Sequence, residues 1–177
     1  LQRRPHLGDV DASAASFAKG MEIFKQLLEA DPNDARAIRD LCVAYEKLGD
    51  IERVRKNNEA SLEHYVSMLE LNYAFLDKDR NNIMARNDLV TSEARVAISY
   101  AILGKREEGT ACLDRAMAAA RALRESAPQV REPARNLGYV RNRYGEFHET
   151  LAKNAGATND KLAPTDWETA LSWYQKG

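Results

Sequence analysis

Residues 31–41 read DPNDARAIRDL, and residues 79–89 read DRNNIMARNDL. The two phrases share an Asp at the front, an Asn third, an Ala seventh and Asp-Leu at the end, 48 residues apart. A second step of 48 carries Asp88-Leu89 to Asn136-Leu137, and Ala37 maps to Ala85 and then to Pro133. Leu48-Gly49, Val96-Ala97 and Tyr144-Gly145 keep a large-then-small character through three copies. The other half of each unit repeats as well. Its columns are Ser13, Ser61 and Gly109; Phe17, Tyr65 and Leu113; Gly20, Met68 and Ala116; Met21, Leu69 and Met117; Leu27, Phe75 and Leu123. After an insertion, Ala170, Tyr174 and Gly177 re-enter that pattern. Spacings of three, four and seven make the apolar stripe of a helix, and a small residue within it lets a neighbouring helix approach closely.

Each unit therefore reads as two helices. The first helices are expected near 34–54, 82–103 and 131–151, the second near 11–30, 58–78, 106–126 and 166–177. Pro32 stops one helix, and Asn33 or Asp34 caps the next. SAPQVREP repeats that stop, with Pro133 fitting a first turn. Gly104 breaks the chain between two helices, Thr165 with Glu168 reads as a capping box, and KNAGATNDKLAP (153–164) reads as a loop. A lone hairpin cannot bury both faces, so the expected fold is all-α, a solenoid of stacked antiparallel helix pairs. Residues 1–10 read as an extended or disordered leader. Residues 11–177 read as one array: the second helix of a partial unit (11–30), then units at 34–78, 82–126 and 131–177.

Bulk properties exclude several classes. The 177 residues are 44% hydrophobic and 30% charged, the profile of a folded chain. With 26 basic against 27 acidic residues, nothing in the net charge draws the chain to nucleic acid or to an anionic membrane. VAISYAILG (96–104) is too short to span a bilayer. No basic-then-apolar leader opens the chain, so a cytoplasmic location is expected. Cys42 and Cys112 lack CxxC spacing and read as two reduced, partly buried thiols, with no cofactor or metal implied. The chain opens at Leu1 and stops at Gly177, part-way through a second helix, which suggests a piece of a longer protein.

LCVAYEKLGD (41–50), VAISYAILGK (96–105) and DWETALSWYQKG (166–177) resemble tetratricopeptide repeats. The family's large-small pair, the aromatic three later (Tyr100), the Gly four after that (Gly104) and the small and aromatic pair of the second helix (Ala170, Tyr174) are all present. Glu52 and His148 replace the aromatic, Lys56 and Ala152 replace the turn Gly, and the unit is 48 residues long where ~34 is usual. The phrasing is also similar to long-repeat arrays that follow the kinase domain of some bacterial serine/threonine protein kinases. The resemblance implies a right-handed superhelix whose first helices line a concave groove for a peptide or protein partner.

Other motifs fall away on inspection. IRDLCVAY (38–45) has Ile38 and Tyr45 where a kinase catalytic loop needs His and Asn, and it sits inside a helix. Asp77, Asp79, Asn81 and Asp88 fall on positions 1, 3, 5 and 12 of a calcium loop, but Asn82 replaces the turn Gly and the segment is the second copy of the inter-unit turn. His6, His64 and His148 lie in different units, and His148 reads as packed near the groove. No catalytic constellation stands out, so a non-catalytic module is expected. Its candidate binding residues form a column of cations, Lys47, Arg95 and Arg143, with Tyr139 and Asn142 on the same face. By the family's pattern that face lines the groove, where bidentate Arg–carboxylate pairing suits an acidic peptide. Acidic neighbours of these cations (Glu46, Asp50, Glu146) favour a solvated, internally paired face instead. Two other roles stay open: a regulatory segment C-terminal to a protein kinase domain, and a self-assembling array or homodimer joined through exposed solenoid ends.

Overall fold

In the computed structural model, which describes residues 10–126, 131–158 and 163–176, the turn that opens each copy of the phrase is built twice in the same way. The Asn33 amide donates to Asp31 Oδ1 at 2.9 Å, and the Asn81 amide to Asp79 Oδ1 at 3.2 Å. Asp34 then caps the first helix by accepting from the Arg36 and Ala37 amides at 2.9 and 3.0 Å, and Asn82 caps the second by accepting from Ala85 at 3.1 Å. These caps satisfy amides that a helix start leaves without partners. The same helices also end alike. Lys56 and Gly104, 48 apart, both lie in the left-handed region, at φ 64° and 73°. The amide that follows each reaches back five residues, Asn57 to the Glu52 carbonyl and Lys105 to the Tyr100 carbonyl, both at 2.9 Å, in the geometry that closes a helix C-terminus.

Among the described residues the fold is all-α: α1 (Val10–Ala30), α2 (Ala35–Val54), α3 (Asn58–Lys78), α4 (Ile83–Ile102), α5 (Arg106–Ser126), α6 (Arg131–Thr158) and α7 (Ala163–Lys176). Two expectations need correction. The first helix of the third unit does not stop near 151 to give a loop from 153; α6 continues to Thr158. At the place of Lys56 and Gly104 it carries Ala152, the best helix former, only 1% exposed. Thr165 is not a cap either: α7 starts at Ala163 and places Pro164 in its first turn, where a missing amide is harmless. The Thr165 carbonyl is already inside the helix, accepting from Thr169 Oγ1 at 2.8 Å. The leader apart from Val10, the turn at 127–130, residues 159–162 and the side chain of Tyr174 lie outside the described residues.

Where one array is expected over 11–177, the chain divides into two compact units, the first ending at Leu71 and the second beginning at Asn72, within α3. In the first unit α1 and α2 are antiparallel, with Arg55 at the end of α2 paired to Asp11 at the start of α1. The α2–α3 hairpin closes through the small column: Ser61 Oγ donates to the Gly49 carbonyl at 2.8 Å. A Cβ on Gly49 would meet the Tyr65 ring at 2.6 Å. Ile38, Leu41, Leu48, Tyr65 and Met68 are buried here.

In the second unit α4 packs against both α5 and α6, and α6 packs against α7. Gly109 of α5 lies against Ala97 of α4, where its Cβ would stand 3.1 Å from the Ala97 carbonyl, and the Phe147 ring covers it from α6. The Asn87–Asn136 bond (2.6 Å) at one end, and Asn154 donating to the Ala101 and Ile102 carbonyls (2.9 and 3.1 Å) at the other, show that α4 and α6 run side by side in the same direction. Phe147, Leu113, Leu123, Val90, Val96 and Val140 are fully buried, each worth about 1.5–3 kcal/mol of transfer free energy. No helix among the described residues is long and apolar enough to cross a membrane.

Candidate functional site

The parallel alignment of α4 and α6 brings part of the cation column together. Asn87, Thr91 and Arg95 are four residues apart along one stripe of α4, and Asn136, Tyr139 and Arg143 follow helical spacing on α6. The Asn87–Asn136 bond pins these stripes to each other, so Arg95 and Arg143 lie on neighbouring stripes two turns further along. Arg143 is about one-third exposed. Its guanidinium lies 4.9 Å over the Tyr139 ring, and Nη1 donates to the Glu146 carboxylate one turn on. The ring quadrupole and the carboxylate hold the fork in place. Arg95 is half-buried, and Asn142 is exposed one position round the helix from Arg143.

Lys47 belongs to the first unit. Its ammonium sits 2.9 Å from Glu46 and 4.0 Å from Asp50. It also borders a mostly apolar pocket of ≈ 220 Å³ between α1 and α2, with Val10, Phe17, Ile51 and Val54.

Two polar clusters in the second unit escaped the sequence reading. Glu93, 0% exposed, accepts from Arg115 through both oxygens, Nε to Oε1 at 2.6 Å and Nη2 to Oε2 at 3.0 Å, and also from the Tyr73 hydroxyl. Burial and then this carboxylate push the Tyr73 hydroxyl up to about 12 and the Cys112 thiol up to about 12, so neither ionises near neutrality. The available signal was Glu93 standing between Val90 and Val96-Ala97 on the apolar face, where an acid requires a partner. The second cluster centres on Asp166, gripped by Arg106 Nη1 and Nη2 at 2.7 and 2.6 Å and lying 3.2 Å from His148 Nδ1. Burial pushes the Asp166 carboxyl up, but the hydrogen bonds from Arg106 and His148 outweigh it and hold the group below the ordinary carboxylate range. His148 is thus packed by Phe147, edge to face at 5.3 Å, and oriented by Asp166.

The carboxylates of the calcium-like segment serve the fold. Asp79 bonds the Asn81 amide, Asp77 lies 3.4 Å from Arg80, and Asp88 is inside α4. Among the described residues no group of three or more His, Cys, Asp or Glu side chains is placed to hold a metal ion. The stripes of α4 and α6 carry the Arg95 and Arg143 guanidinium groups and the Tyr139 ring, with the exposed Asn142 beside Arg143. Comparison of the chain with protein-family models, with curated proteins and with solved structures finds no match.

Proposed function

We propose that this chain is a non-catalytic interaction module, a tetratricopeptide-like stack of 48-residue helical hairpins that takes an acidic peptide or protein segment along its first helices. The observation that carries the reading is the pair of adjacent stripes on α4 and α6, with Arg143 laid on Tyr139 beside the stripe that holds Arg95. A guanidinium already ordered by a ring and a carboxylate loses little further freedom when it binds. An incoming carboxylate exchanges with Glu146 for the same fork. The stacking reading draws on contacts that return 48 residues later: the Asp31/Asp79 turns, the Asp34/Asn82 caps, the Lys56/Gly104 stops, and Ser61 on Gly49 as Gly109 lies on Ala97. The test is titration of the chain with a labelled Glu/Asp-rich peptide. Binding should weaken steeply with salt, and reversing Arg95 and Arg143 to Glu should abolish it. Unchanged affinity in that double variant would refute the groove.

A further inference from the structure

Packed against α5 and α6, α4 keeps little surface of its own. Between Met84 and Ser99, the residues that are not buried are Met84, Arg86, Asn87, Asp88, Thr91 and Arg95. Arg86 turns back, its Nε donating to the Arg80 carbonyl at 2.7 Å. The others, at spacings of three and four, form one stripe beside that of Tyr139 and Arg143 on α6. The stripe changes character along its length. Met84 opens it, 51% exposed, with Ile83 next to it at 48%. Arg95 closes it, with Arg143 on the neighbouring stripe.

The apolar end is not a demand of the repeat. The positions 48 residues before and after Met84 hold Arg36 and Glu132, and those of Ile83 hold Ala35 and Arg131. The Arg36 side chain is 92% exposed. Packing therefore tolerates charge at this position, and Met84 offers instead a flexible, polarisable patch suited to an apolar side chain. Between the two ends stand the Asn87 and Asn136 amides. Their bond uses the Asn87 oxygen and an Asn136 N–H. The Asn87 N–H groups and the Asn136 oxygen are then a donor and an acceptor close together, the complement of a main-chain peptide group.

Met84 and Arg95 lie on one side of α4, about three turns and roughly 16 Å apart. An extended chain covers that distance in about five residues, whereas a helix needs about eleven. We infer that the acidic segment taken by this face is extended and carries a large apolar residue five positions from its acid. The apolar side chain covers Met84 and Ile83, the main chain crosses the Asn87–Asn136 pair, and the carboxylate meets Arg95 and Arg143. Asp88, one turn from Met84, disfavours an acid at the apolar end. This inference rests on the proposed acidic-segment reading and adds to it the shape and spacing of the ligand.

The probes are labelled Gly/Ser peptides titrated with the full chain. One carries a Glu-Glu pair alone. The others add a single Leu about three, five, eight or eleven positions from the nearer Glu, on its N-terminal side in one set and its C-terminal side in the other. Leu at five, in one of the two sets, should tighten binding about tenfold over the peptide without Leu. Leu at the other spacings should gain much less. Met84→Ser should bring the affinity ratio of the two peptides close to one, and Met84→Leu should keep it. Thermal melting checks that both variants fold. A gain that peaks at eleven would mean a helical ligand, and a gain that survives Met84→Ser would place the leucine elsewhere. Either result, or equal affinity for all the peptides, overturns the inference and leaves the acidic-segment reading standing. If none of the peptides binds, both are overturned.

Discussion

Exchanging residues at the two left-handed turn positions should move stability in opposite directions. Gly104 has φ 73° and would meet no atom within 4 Å on gaining a Cβ, so Gly104→Ala tests backbone conformation alone. The left-handed region costs an L-residue about 1–2 kcal/mol. Against that stands a gain of about 0.4–1 kcal/mol from the less flexible unfolded chain. Gly104→Ala should therefore destabilise by up to about 1.5 kcal/mol. Lys56 already bears this cost at φ 64°, and it is exposed. Lys56→Gly should stabilise by about the same amount, and Lys56→Asn by less, because Asn tolerates the region better than Lys. Urea unfolding followed by circular dichroism reads the change as a shifted midpoint at unchanged slope. If Lys56→Gly lowers the midpoint, or Gly104→Ala raises it, the turns are not the paired helix stops described above.

Three further outcomes follow from packing and charge. Ala97→Leu, at a 0% exposed position against Gly109, should overpack the α4–α5 contact and cost about 1–3 kcal/mol in the same unfolding assay. Arg115→Met strands the buried Glu93 carboxylate and should cost about 3–5 kcal/mol. Glu93→Gln should cost less, because the Arg115 side chain is 50% exposed and stays hydrated. His64 is held below its ordinary value by burial, so the unfolded chain takes up its proton first. The stability tied to His64 is then fully present above about pH 6.5 and is lost as pH falls through the depressed folded value. His64→Phe should flatten that part of the pH–stability curve, measured by thermal melts between pH 7 and 5.

Helix identity was legible because each half-unit carries both a periodic apolar stripe and its own punctuation. DPND and DRNN announce a turn and a cap in their side chains, and those caps are made as the residue types require. The end of α6 was not legible from local signals. Ala152 removes the stop found at Lys56 and Gly104, and the Asn and Gly residues after it read as loop, yet Asn154 spends its amide on the Ala101 and Ile102 carbonyls and keeps the helix in contact. Tertiary bonding of that kind overrides propensity. For the site, a 48-residue register placed Arg95 and Arg143 on corresponding turns. It could not show that Asn87 and Asn136 would join the two stripes, because that bond joins residues 49 apart, one off the register. The two buried carboxylates were missed because their partners, Arg115 and Arg106, come from other helices and leave no short-range pattern.

The most direct test of the binding-face account is a residue-resolved map of the bound state. Amide chemical shifts of the labelled chain are followed while an acidic peptide is added. The account predicts that the perturbed residues cluster on Thr91, Arg95, Tyr139, Asn142 and Arg143, along the neighbouring stripes of α4 and α6. Perturbations concentrated on the exposed side of α5 or α7, with that set unmoved, would contradict it.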